Sequence, residues 1–300
     1  MKTSAKVTYN GMRSRLLLLA VFALLNFGYN QPSSAASVYK TSVADTSTSA
    51  NIRQILNGNK IGITVCFPES VKRFYMQRAF APNWVNPQAN TKPTWESMLM
   101  LDCVLQFGLA HEDYHPGDLL YTKLHDILER PSTVSSVEKA KYDILLTDAM
   151  ITFINHLHFG KLNPEYPASK IDRLQSGFNA GAALASATQQ KDYMAAILDV
   201  QPKSKEYSDL QSRMHLLEGI YQDDCYEVPE AEVRKIAINM ERLRWINVEG
   251  DSYIQINIPS FTLKFHQPDT TYEFNILAGK PSTPTPILKS AITYFSTASN

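Results

Sequence analysis

His111-Glu112-Asp113-Tyr114-His115 has the literal His-Glu-x-x-His spacing. On an α-helix this pattern sets two imidazoles one turn apart to hold zinc, while the glutamate activates a water molecule. A zinc hydrolase built this way needs a continuous helix through both histidines and a third ligand, for which His125, His156 and His158 are the candidates. The flanking residues oppose that helix. Gly108-Leu109 ends the preceding segment and Pro116-Gly117 follows at once, a combination that favours a turn. The stretch is therefore expected as a loop, with the zinc hydrolase as an alternative function.

Thiol chemistry is the second possibility. Cys66, Cys103 and Cys225 are odd in number, have no metal-type spacing and permit at most one disulfide within the chain. The pairing stays open. A nucleophilic thiolate needs electropositive surroundings. Cys225 instead follows Asp223 and Asp224, Cys103 lies in a helical apolar pattern where a small buried residue is ordinary, and Cys66 sits between Val65 and Phe67. No catalytic, cofactor-binding or metal-ligating residue is assigned, and no cofactor is implied.

The elements that must position these residues follow a recognisable order. Lys2, Lys6, Arg13 and Arg15 precede the apolar run from Leu16 to Leu25, and the small residues Ser34, Ala35 and Ala36 come after it. This is the pattern of a secretory signal peptide over residues 1–36, with an apolar core well short of the roughly 20 residues that span a bilayer. No cysteine follows the run to accept a lipid. Its removal leaves 25 basic against 29 acidic side chains, a formal charge of −4. That balance argues against nucleic acid as a partner. No later segment is apolar and long enough to cross a membrane, so a periplasmic protein with no membrane span after cleavage is expected.

Residues 37–50, rich in Ser, Thr and Ala, read as a flexible leader, with structure starting near Asn51. From 51 to 245 the period is helical. Tyr207, Leu210, Met214, Leu217 and Tyr221 fall on one face. Ser135 and Glu138 have capping-box spacing ahead of a long segment reaching His158, and Gly160 supplies a stop. Gly108 ends the segment from Met98 to Phe107, and Pro202 separates two further helices. Val233, Ile236, Met240 and Leu243 form another apolar stripe, while Glu230 with Arg234 and Glu241 with Arg244 are spaced for ion pairs on a wet face.

After Trp245 the period falls to two. Ile254, Ile256 and Ile258, then Phe261, Leu263 and Phe265, then Tyr272, Phe274 and Ile276 alternate with polar residues. Pro259-Ser260 and Gln267-Pro268-Asp269 separate three strands of an antiparallel meander. So short a β segment, residues 246–300, cannot easily build its own core; it must lean on the helices or belong to a larger sheet. The fold class expected is mainly α, a helical domain followed by a short antiparallel β segment.

Taken together, Asn239-Met240-Glu241-Arg242-Leu243-Arg244-Trp245, Ile256-Asn257-Ile258-Pro259, Ala278-Gly279-Lys280-Pro281 and Thr285-Pro286 resemble the entry into the YkuD-fold catalytic domain of large murein L,D-transpeptidases. Upstream, Phe74-Tyr75, Arg78, Phe80, Pro82 and Trp84 resemble the opening of that family's helical scaffold domain. So do Gly108-Leu109, Glu112-Asp113-Tyr114-His115 and Asp143 through Ala149. The resemblance spans roughly residues 70 to 290. It implies a scaffold over 51–245 and a partial YkuD-type sheet over 246–300, with Asn239–Trp245 as the structural hinge between them.

The resemblance also implies acyl transfer between peptidoglycan stem peptides through a cysteine nucleophile, a histidine base and backbone oxyanion donors. In the family these lie in a Ser-His-Gly-Cys-x-Arg type motif downstream of such strands, and this chain contains no His-Gly-Cys. The peptidoglycan-binding repeat of larger relatives is absent too, since only Gln222 to Pro229 separates the two helices where it would stand. An inactive member is therefore expected, with peptidoglycan stem peptides or cell-wall proteins as partners. A noncatalytic periplasmic binding module is a further alternative.

Overall fold

Three buried carboxylates organise the helical part of this chain, and each gathers backbone amides from segments far away in sequence. The computed structural model describes residues 46–58, 62–220, 230–246, 252–286 and 290. The expected signal peptide, most of the expected leader and Cys225 lie outside the described residues. Among the described residues ten α-helices run in the order α1 (Thr46–Leu56), α2 (Pro68–Gln77), α3 (Lys92–Asp102), α4 (Tyr121–Glu129), α5 (Ser136–Phe159), α6 (Ala168–Asp172), α7 (Ala180–Ala187), α8 (Tyr193–Leu198), α9 (Lys205–Ile220) and α10 (Glu230–Trp245). Structure begins earlier than Asn51. Helix α1 takes in residues expected in the flexible leader, because Thr48 and Ile52 are buried against the body.

The long central segment forms as its sequence predicts. The Ser135 hydroxyl accepts the Glu138 amide while the Glu138 carboxylate accepts the Ser135 amide, a capping box that satisfies amides otherwise left open at the start of α5. Helices α1, α2, α3, α7 and α8 all pack on α5. Its side chains are consequently buried on all sides, among them Ile144, Leu146, Met150, Phe153 and Leu157. A one-faced amphipathic pattern is not required of a helix surrounded in this way.

Polar residues inside α5 are matched to donors. Asp143 accepts the backbone amides of Asn83, Trp84 and Val85 at 2.9, 2.7 and 3.0 Å, together with the Tyr75 hydroxyl. Thr147 accepts the Trp84 indole N–H at 2.8 Å. These are the residues of the family-like Phe74-Tyr75, Trp84 and Asp143–Ala149 motifs, brought to one place. Helix α2 has no side-chain cap of its own. Its first amides are satisfied from a distance, Cys66 and Phe67 by Asp148 and Glu69 and Ser70 by Asp172.

The stripes of α9 and α10 close on each other, with Tyr207, Met214, Ile236 and Met240 buried and Leu210, Leu217, Val233 and Leu243 packed around them. Tyr221 lies outside the described residues. The β segment is the expected meander, order β1-β2-β3, of β1 (Tyr253–Asn257), β2 (Thr262–Gln267) and β3 (Thr270–Asn275). Ile256 pairs with Leu263 and Leu263 with Phe274; Ile254 pairs with Phe265 and Phe265 with Tyr272. All six share one face of the sheet. Of the two supports expected for that face, the described helices do not supply one: Ile254, Ile256, Tyr272 and Phe274 remain exposed.

Candidate functional site

Of the places where charged side chains are buried, the first is the joint made by α10. Arg244 and Glu241 were expected as an ion pair on the wet face; both are buried, Arg244 only 4 % exposed and Glu241 9 %. The Arg244 guanidinium donates to the carbonyl of Phe107, to the Tyr207 hydroxyl at 2.9 Å and to the Glu241 carboxylate at 3.3 Å. Glu241 in turn accepts the Leu162 amide at 2.6 Å and the Trp245 indole N–H at 3.0 Å. A buried pair is tolerable when most of its remaining lone pairs and protons are satisfied, as here, where the Arg244 Nε is left without a partner. The Trp245 indole thus closes on Glu241.

Gly108 and Gly160 do more than end their segments. Both have positive φ, 65° and 83°. A Cβ at Gly108 would stand 2.9 Å from the Ala237 Cα, and one at Gly160 would stand 2.6 Å from a Glu241 carboxylate oxygen. Their missing side chains are what let α10 lie against the body. Sequence reasoning read these glycines as helix stops and missed the close approach, because the approaching residues are far away along the chain.

The second place surrounds the His-Glu-x-x-His stretch, and here the zinc-peptidase arrangement is overturned. His111–Tyr114 is a single 3-10 turn and His115 is left-handed, with φ 55°. The two imidazoles therefore do not stack one α-helical turn apart. The His111 ring N–H donates to the Asp102 carbonyl at 2.7 Å, and Glu112 is exposed. The candidate third ligands are engaged elsewhere: His125 with Glu129, His156 with the Tyr114 hydroxyl and His158 with the Val200 carbonyl. Burial pushes the His156 imidazole down to about 4, so it stays neutral.

His115 is carried by its turn to a different partner. Its ring N–H donates to Asp148 at 2.7 Å. Asp148 is fully buried, and it also accepts the amides of Cys66 and Phe67. The Cys66 thiol, His115 imidazole and Asp148 carboxylate thereby converge, with their donor atoms all within 4.8 Å of one another. Cys66 is exposed and free. Burial of its sulfur and the negative charge of Asp148 push the thiol up to about 11, so it is no activated nucleophile. Cys103 caps the end of α3 and is partly exposed rather than buried on a helical face.

A groove of about 600 Å³ is lined by α10 side chains such as Arg234, Lys235 and Arg242, and its lining contains neither Cys nor His. The chemistry-bearing cluster lies instead within the helical body. Residues 69–214 match the family model described as Scaffold domain, the L,D-transpeptidase scaffold domain. The scaffold match begins in α2, includes all of α5 and ends in α9; α10 and the strands lie beyond it. No curated protein and no solved structure matches the chain. Among the described residues no helix is long and apolar enough to cross a membrane.

Proposed function

We propose that this protein is an exported member of the murein L,D-transpeptidase lineage in which the helical scaffold holds the opening strands of a YkuD-type domain, and that it acts on the cell wall in peptidoglycan remodelling. The observation that carries the reading is the α10 joint. Asn239–Trp245 is fastened to the scaffold through Arg244 and Glu241, and the strands follow directly from it. The apolar sheet face left open by the helices supports a second β layer as its natural cover.

In this reading the 300 residues do not themselves transfer acyl groups. The thiols with described surroundings offer no activated nucleophile, and the sequence has no His-Gly-Cys. The chain then contributes positioning, with stem peptides or wall proteins as its partners. The test has two arms: expression in a peptidoglycan-bearing host that lacks L,D cross-links, and co-sedimentation of the purified chain with isolated sacculi. The expected outcome is retention on sacculi with no new L,D-linked muropeptides by mass spectrometry. New cross-links would overturn the inactivity, and failure to sediment would overturn the cell-wall role.

A further inference from the structure

We propose that Cys66, His115 and Asp148 form a binding site for a zinc-class divalent cation, open to solvent at a fourth position. The three side chains come from the residue before the α2 cap, the end of the 3-10 turn and the centre of α5, and they meet within 4.8 Å. A thiolate, an imidazole and a carboxylate are the donors that zinc takes, at about 2.0–2.3 Å each. Ligands at those lengths around a tetrahedron stand about 3.2–3.8 Å apart. Small side-chain rotations from the present arrangement reach that spacing, and the hydrogen bond from His115 to Asp148 is exchanged for two bonds to the ion.

The surroundings supply what a metal site requires beyond its ligands. Asp148 is oriented by the Cys66 and Phe67 amides at 2.8 and 3.0 Å, the kind of outer contact that fixes a ligating carboxylate. Thr152 lies one turn along α5 from Asp148. It is 1 % exposed and its hydroxyl has no hydrogen-bond partner. Asn155, on the same side of the helix, is also 1 % exposed, and neither of its amide atoms is partnered. Buried polar groups without partners are rare, and here two of them stand on the side of α5 that carries Asp148. Cys66 and His115 are partly open to solvent, which gives the ion an entry path and a position for water.

This site is distinct from the His111-Glu112-x-x-His115 arrangement, with which it shares only His115. Its chemistry is a staple joining the loop before α2 and the turn after α3 to the central helix. The test is titration of the reduced, metal-stripped full chain with cobalt(II), read by thiolate-to-cobalt charge-transfer absorption, alongside melting with and without zinc. The expected result is a stoichiometric band that Cys66→Ser abolishes and His115→Gln weakens at least about tenfold. His111→Gln, Cys103→Ser and Cys225→Ser leave it unchanged. Zinc raises the melting temperature of the parent chain and not that of Cys66→Ser. Cys66→Ser changes an exposed side chain, so its circular dichroism verifies folding independently. A band that survives Cys66→Ser, or no band at stoichiometric cobalt, overturns the site.

Discussion

Phe74 and Phe274 occupy the apolar positions of equally regular elements, yet Phe74 is 2 % exposed and Phe274 54 %. The first lies on α2, against a body in which even polar interior groups such as Asp143 and Thr147 have donors brought to them. The second lies on β3, whose backbone pairs correctly in an antiparallel ladder while its apolar face meets no cover among the helices. Periodicity therefore determines which element forms and which residues share a face. Whether that face is buried depends on another part of the fold, and in this molecule the two regions answer differently.

The comparison breaks most severely at Asp143. Replacement by alanine strands the amides of Asn83, Trp84 and Val85, each of which costs about 1–3 kcal/mol when left unsatisfied, with less than full additivity, while the Tyr75 hydroxyl keeps Thr147. Asp143→Ala is expected to destabilise the helical body by about 4 kcal/mol, at the upper end for single substitutions. Urea unfolding followed by circular dichroism measures it. A loss below about 1 kcal/mol would mean that water takes over these donors and that the carboxylate is no organiser.

Gly160 sharpens the comparison at the boundary between the two regions. Its φ of 83° with ψ of 159° suits glycine alone, and a Cβ would press on Glu241 and on the Trp245 indole. Gly160→Ala is expected to cost about 2 kcal/mol. Hydrogen exchange should speed up in α10 while α5 stays protected, because the strain falls on the joint. Equal loosening of both helices would show that α10 is no separate attachment and belongs to one cooperative body with α5.

Local signals carried much of this architecture. Ser135 and Glu138 announced the start of α5, and alternation from Ile254 to Ile276 announced three strands in the observed order. The stripes of α9 and α10 were equally legible, since each residue's place on a helix depends only on its near neighbours. What local pattern misjudged was polar burial. Glu241 and Arg244 have the spacing of a solvent pair, and only the distant Phe107, Leu162 and Tyr207 turn them inward. The His-Glu-x-x-His spacing misled for the same reason: His115 answers to Cys66 and Asp148, 49 and 33 residues away, rather than to His111. The candidate site is a product of chain return, which no short window contains.

The smallest effect is expected on the open sheet face, and it is the most discriminating. Phe274→Ser removes a large apolar side chain from a position where folding of the helical body gains nothing, so its stability should change by no more than about 0.5 kcal/mol. The same exchange at buried Phe74 should cost at least the roughly 3–5 kcal/mol of a large core truncation. Light scattering supplies the second readout. Exposed Ile256 and Phe274 flank half-buried Leu263 on a sheet that, among the described residues, is three-stranded with two open edges; this invites association, and Phe274→Ser should reduce it. If Phe274→Ser instead destabilises the chain as Phe74→Ser does, the face is covered in solution, and the contrast between the two regions dissolves into one continuous core.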